Sequence, residues 1–170
     1  QLKIGLQSGD TNQFLRLWHE VGAIGENSSG RWFPCNKAGQ YRKWYGNLEY
    51  YVDWEDEGRR IRTCESARPQ NTSFYFLKGV SWGLITSGLP SARLMPEGCI
   101  FDVSSPSLFC GESLELYLGL LNSKPALAVL NLLNPTLNMS TGTVGLVPDL
   151  SSVGNSNDIL NLVEAARQDW

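Results

Sequence analysis

The sequence has no C-x-x-C pair and one histidine, His19. Structural zinc is held by four Cys or His ligands, most of them in close pairs, so these absences exclude a zinc-stapled fold. Charge is sparse: 14 Lys and Arg stand against 17 Asp and Glu, a net −3 at pH 7 over 170 residues. A general nucleic-acid coat needs a strong positive excess, which this chain lacks. No apolar run reaches the roughly 18 residues of a membrane span, and no basic stretch leads into an apolar one, so neither a membrane span nor a signal peptide is expected. Internal repeats and low-complexity tracts are missing too. The length fits one ordinary domain, able to bury about two thirds of its unfolded surface without disulfide or metal staples. A first residue of Gln1 rather than Met suggests a mature form or an excised piece.

What is present is uneven. Residues 1 to 100 hold twelve of the fourteen cationic residues, and residues 101 to 170 hold only Lys124 and Arg167. Cations and rings concentrate at 31 to 54, RWFPCNKAGQYRKWYGNLEYYVDW. Arg31, Lys37, Arg42 and Lys43 come before the first acid there, Glu49, and Trp32, Phe33, Tyr41, Trp44 and Tyr45 lie between them. Basic groups beside flat rings suit phosphates and bases, and equally suit an amphipathic sheet face.

The four cysteines, Cys35, Cys64, Cys99 and Cys110, are far apart. Two disulfides and the sequons at Asn27, Asn71 and Asn138 would suit a secreted carbohydrate-binding module. Buried reduced thiols are common, and the expectation is a reducing cytoplasm.

Along the chain, FLRLWHEV alternates and predicts a strand, with His19 satisfied at its end. GAIGENSSG reads as a mobile loop. Tyr41 to Tyr45, the Gly46-Asn47 turn and Leu48 to Trp54 predict a hairpin whose second arm buries Leu48, Tyr50, Val52 and Trp54. EDEGRRIRT reads as a solvated turn entering a short strand or helical turn. A second hairpin is predicted within ARPQNTSFYFLKGVSWGLIT, broken at Lys78-Gly79, and GCIFDV as a buried strand. After Pro106 the period becomes helical: Leu114, Tyr117, Leu118 and Leu121, then Ala126, Val129, Leu130 and Leu133, with Ser123 and Pro125 opening the second helix. Thr143 to Val147 predicts a last strand, and Ser156 or Asn157 caps a final helix with Ile159, Leu162, Val163 and Ala166 on its apolar face. The expected class is α+β, a mostly antiparallel twisted sheet with hairpins followed by packed C-terminal helices at about 112–134 and beyond.

Several motifs fail on their partners. Gly79-Val80-Ser81-Trp82-Gly83 matches G-x-S-x-G, but that fold draws its histidine base from after the serine, and His19 lies about sixty residues before it. Asn134-Pro135-Thr136-Leu137 resembles the N-P-P-Y/F loop that holds an extruded adenine, without the second proline or the ring. No glycine-rich strand-to-helix turn for a nucleoside cofactor is visible. The acids at 49 to 57 are explained by a hairpin arm and an acidic turn better than by a glycosidase pair.

Together, GLQSGDTNQFLRLWHEV, RWFPCNKAGQYRKWYGNLEYYVDW, RPQNTSFYFLKGVSWGLI, IFDVSS and LLNSKPALAVLNLLNPTLNMSTGTVGLVP resemble the region after the catalytic domain in PglX-type adenine-specific DNA methyltransferases of BREX phage-defence systems. More distantly, the layout resembles target recognition domains of type I and type IIG restriction-modification enzymes. The match departs at Cys35, where relatives carry an aromatic, and over residues 104–112.

The resemblance implies a division of labour in a bacterial, cytoplasmic enzyme. A methyltransferase domain in cis would bind S-adenosylmethionine, while residues 1–150 read double-stranded DNA and 151–170 form a helix leading onward; no cofactor is expected in this chain. Lys37, Arg42 and Lys43 are then the candidates for phosphates, and Arg31, Asn36, Tyr41, Arg68, Gln70 and Asn71 for base edges, since Arg, Asn and Gln match guanine and adenine edges. Trp44 is a candidate to support a distorted duplex. A protein-docking role, with the acidic C-terminal helices against the catalytic domain, is compatible with DNA reading.

Overall fold

Asp10 accepts a 3.0 Å hydrogen bond from the amide of Gln13 and so starts a helical turn that takes in Phe14, the first residue of the predicted strand. The computed structural model describes residues 1–21, 30–86, 88–111, 113–134, 136–149 and 155–170. In chain order it contains β1 (Leu2–Lys3), α1 (Thr11–Phe14), β2 (Leu15–Leu17), β3 (Trp32–Asn36), β4 (Tyr50–Asp53), α2 (Glu55–Arg62), a 3₁₀ turn (Thr72–Phe74) and β5 (Gly79–Trp82). There follow β6 (Ala92–Met95), β7 (Ile100–Phe101), β8 (Ser107–Leu108), α3 (Leu114–Asn122), α4 (Lys124–Leu133), α5 (Thr141–Val144) and α6 (Ser156–Gln168).

The class is α+β as expected, with two sheets rather than one. The first has the order β1-β8-β5-β6 and is antiparallel throughout; the second has the order β2-β4-β3-β7, with only β3 and β7 parallel. One core joins the sheets, with Leu6, Phe14, Leu15, Cys35, Val52, Met95, Ile100 and Phe101 buried in it. A second core lies between the first sheet and the helices, where Val80, Trp82 and Leu94 meet Leu114, Leu118, Leu121, Leu130 and Val163. All of β5 and β6 is therefore buried, on both faces of the sheet.

The helical expectations hold. Ser123 caps α4 by accepting from the amide of Ala126 at 3.3 Å, Pro125 sits in its first turn, and the predicted apolar stripes turn inward, apart from the exposed Leu133 and Leu162. α6 is capped by Asn155, one residue before the predicted cap, and buries Val163. No single helix among the described residues is long and apolar enough to cross a membrane; α3 and α4, apolar together, meet at a 67° bend.

Other expectations are corrected. The strand predicted over FLRLWHEV shrinks to Leu15–Leu17, and His19 lies exposed in the turn after it, edge-on to Trp18 at 5.7 Å. The first predicted hairpin keeps only part of its second arm, as β4. Gly46 and Asn47 have positive φ, 115° and 60°, but close no hairpin, and Tyr41 to Tyr45 is no strand. Trp44, at φ 72°, donates its amide to Ala92 and accepts from Leu94, a one-residue bridge to the edge of β6. Burying Trp44 and Tyr45 against the second core outweighs local pairing, and β4 takes β2 and β3 as partners instead. The second hairpin also exchanges a partner: Phe74 to Phe76 packs as rings in the first core, while β5 pairs with β6. EDEGRRIRT takes the helical of its two expected forms, after a left-handed kink at Asp56, Glu57 and Gly58, whereas Thr143 to Val147 is no strand because Ser140 accepts from the amide of Thr143 at 3.1 Å and starts α5. The loop at 22–29, with its sequon, and Pro135 lie outside the described residues.

Candidate nucleic-acid interface

Strand registers sort the side chains of the second sheet. Leu15, Val52 and Phe33 share one row and turn to the core, and so do Leu17, Tyr50 and Cys35. The opposite face therefore carries the rows Arg16–Tyr51–Pro34 and Asp53–Trp32. On that half-exposed face the Arg31 guanidinium lies 5.2 Å from the centre of the Trp32 ring and that of Arg16 lies 5.9 Å from it. Arg31 also donates to Asp53 Oδ2 at 3.0 Å, and Arg60 reaches the same oxygen from α2. Asp53 is 1% exposed. Two guanidiniums thus hold one buried carboxylate, Arg16 adds a third beside the Trp32 ring, and the patch keeps positive charge within a net acidic chain.

Of the ten residues nominated from sequence, Arg31 alone lies on this patch. Arg16, Trp32 and Tyr51 are not among the sequence candidates, and Arg60 is legible there only as one of three arginines that either extend the basic surface or neutralise the acids at 55 to 57. The signal for three of them was period two within 14 to 18, 31 to 36 and 49 to 53, but it needs the β2-β4-β3 register, which no local pattern supplies.

The remaining candidates are dispersed. Asn36 is 1% exposed and donates to Ser105 Oγ at 3.3 Å between the sheets. Lys37 forms a 3.4 Å ion pair with buried Asp102. Lys43 donates to the carbonyl of Asn122 at 3.2 Å, and the Arg42 guanidinium lies 4.7 Å from the centre of the Trp170 ring. Trp44 packs against the second core. Tyr41 is exposed and lines a cleft of ≈ 440 Å³. Arg68, Gln70 and Asn71 are exposed, with Arg68 donating to the carbonyls of Glu65 and Ala67 and Asn71 to that of Ile4 at 2.9 Å.

Burial pushes the thiols of Cys35 and Cys99 up, the latter to about 12, and all four cysteines are free. Among the described residues no three His, Cys, Asp or Glu gather to hold a metal. A nucleoside cofactor is cradled where parallel strands run through a glycine turn into a helix. Among the described residues, parallel pairing between strands is confined to the two residue pairs of β3 and β7.

No protein-family model matches the chain. The chain is 34% identical over 172 residues to the adenine-specific methyltransferase BrxX of Escherichia coli O9:H4 (strain HS), a match covering 96% of this chain. It is related to the adenine-specific methyltransferases. A second relative, the adenine-specific methyltransferase PglX of Lacticaseibacillus casei (strain Zhang), is 32% identical over 188 residues and 98% of this chain. The chain spans only 14% and 16% of the length of these curated relatives.

Proposed function

We propose that this chain is the DNA-reading region of a BREX-type adenine-specific methyltransferase, recognising a sequence in double-stranded DNA while another part of the same protein binds S-adenosylmethionine and transfers the methyl group. The observation that carries the reading is the patch of Arg16, Arg31 and Arg60 around Trp32 and Tyr51 on an open sheet face. Guanidiniums on a rigid strand framework suit phosphate oxygens and guanine edges. Exposed Arg68, Gln70 and Asn71 remain candidates for base edges. Lys37, Lys43 and Asn36 brace the framework in this reading, since their side chains are engaged internally. The free thiols support a bacterial cytoplasm.

Two measurements test it. Fluorescence anisotropy of the chain with labelled duplex DNA should give saturable binding that weakens with salt. Exchanging this segment between two related methyltransferases should exchange their methylated sequences, read by methylome sequencing. An unchanged methylome after exchange rejects the reading.

A docking role against the rest of the protein is favoured by a different observation. Ile85 and Leu137 are 71% and 58% exposed on adjacent segments, joined by the hydrogen bond from the Thr86 amide to the Leu137 carbonyl, and form an exposed apolar pair.

A further inference from the structure

Arg93 heads the fully buried side chains of this chain by volume, at 2% exposed. It sits in β6 opposite Ser81 of β5, and the row continues to Ser107 of β8, on the sheet face that looks toward the second sheet. Nε and Nη2 of Arg93 have no hydrogen-bond partner, and neither has the buried Oγ of Ser81 beside it. No ion pair reaches Arg93 among the described residues; Glu49 acts on it only through space. Burial lowers its pKa to about 10, which leaves the guanidinium charged at neutral pH. A buried cation without a counter-ion is costly to keep, and an anion bound beside it removes that cost.

The surroundings say what kind of anion fits. Arg93 lines the ≈ 440 Å³ cleft together with Gly39, Tyr41, Gly83, Leu89 and Pro90. That volume lies within the range of about 300–1,000 Å³ typical of small-ligand sites. The two unpaired nitrogens form one edge of the guanidinium fork, whose spacing matches two oxygens of a phosphate; both are closed off from solvent, so binding requires the Arg93 side chain to turn that edge toward the cleft. Glycines let a bulky tetrahedral group approach the backbone. Exposed Tyr41 offers a flat ring at the same cleft for a base or sugar attached to it.

We propose that the cleft floored by Arg93, with Ser81 beside it, is a binding site for a phosphate group carried by a nucleotide unit. The two sources of that chemistry are a nucleic-acid backbone and a free nucleotide. The inference does not rest on the arginine patch of the second sheet, and it stands or falls apart from the duplex-reading proposal.

The test is ³¹P line broadening of inorganic phosphate and of adenosine monophosphate, titrated with the 170-residue chain at ionic strength held constant with sodium chloride. Saturable broadening is expected. Arg93→Met should abolish it while matching or exceeding the wild-type thermal midpoint in phosphate-free buffer, because the substitution removes an unpaired buried charge. Arg93→Lys, which keeps the charge and loses the fork, should weaken binding by about tenfold, one charge-assisted hydrogen bond, and carries the test should Arg93→Met not fold. Duplex DNA that displaces phosphate identifies the backbone as the source; displacement by adenosine monophosphate but not by duplex identifies a free nucleotide. Non-saturable broadening, or affinity unchanged in Arg93→Lys, overturns the proposal. Phosphate binding without any duplex binding leaves it intact and rejects the DNA reading.

Discussion

Arg31 and Asp53 meet at one end of the paired inner strands β3 and β4, Nη2 to Oδ2 at 3.0 Å, from positions 22 residues apart. The amide of Trp54 also donates to the carbonyl of Arg31 at 2.7 Å, so backbone and side chain lock the same corner. Asp53 holds Arg60 as well, and because Asp53 is buried while both arginines are partly open to water, the carboxylate depends on the pair for its charge to be compensated.

Asp53→Asn should therefore lower stability by about 1–3 kcal/mol, the cost of breaking a partly desolvated charge cluster whose arginines retain access to water. Arg60→Ala should cost less than about 1 kcal/mol, because Arg31 still neutralises the carboxylate. Urea denaturation of the two variants gives the comparison; equal losses would mean that Arg31 does not hold Asp53 alone.

Duplex binding by the Arg16, Arg31 and Arg60 patch implies a log–log salt slope of roughly −3, about −0.9 for each phosphate neutralised. Arg16→Ala should flatten it by about one unit. Lys37→Ala and Lys43→Ala, whose ammonium groups are tied to Asp102 and to the Asn122 carbonyl, should change it far less. Anisotropy titrations over a salt series decide between the two sets.

Gly5→Ala should prevent stable folding. A Cβ at this position would stand 1.9 Å from the carbonyl oxygen of Phe101, a backbone atom held in place by the amide of Leu6 at 2.8 Å. Relief requires moving a strand of the first core, which costs on the order of 3 kcal/mol or more. Circular dichroism melting of the variant provides the check.

The cysteines should separate by reactivity. A hydrogen bond from Ser66 lowers the pKa of Cys64, whereas burial raises those of Cys35, Cys99 and Cys110. Brief alkylation at pH 8 followed by mass mapping should find Cys64 modified first and Cys35 and Cys99 last. Because folding raises the pKa of Cys99 from 9.0 to about 12, the unfolded chain loses its proton first. The contribution to stability is complete below pH 9 and is lost as pH rises toward 12. Cys99→Ala should make the alkaline decline of the urea midpoint shallower.

The sequence by itself determined what is local. Helical period and capping residues placed α3, α4 and α6, because each turn buries side chains three and four apart and needs no distant partner. Alternation marked β4 and the inward Val52 and Trp54, and GCIFDV marked β7. What decided the rest was pairing between distant residues. Trp44 left its predicted hairpin for the edge of β6, since two rings buried in the second core outweigh a two-residue turn. Asn36 and Lys37, solvent-facing by composition, were drawn to Ser105 and Asp102 by the packing of β3 beside β7. The arginine patch has the same origin: Arg16 of β2, Arg31 just before β3 and Arg60 of α2 are distant in sequence, and the β2-β4-β3 register brings in the first while the Asp53 carboxylate holds the other two. Arg93 was one basic residue among fourteen in the sequence. The two sheets closing around it made it a buried charge at the floor of a cleft, because desolvation is a property of the assembled fold and of no stretch of chain.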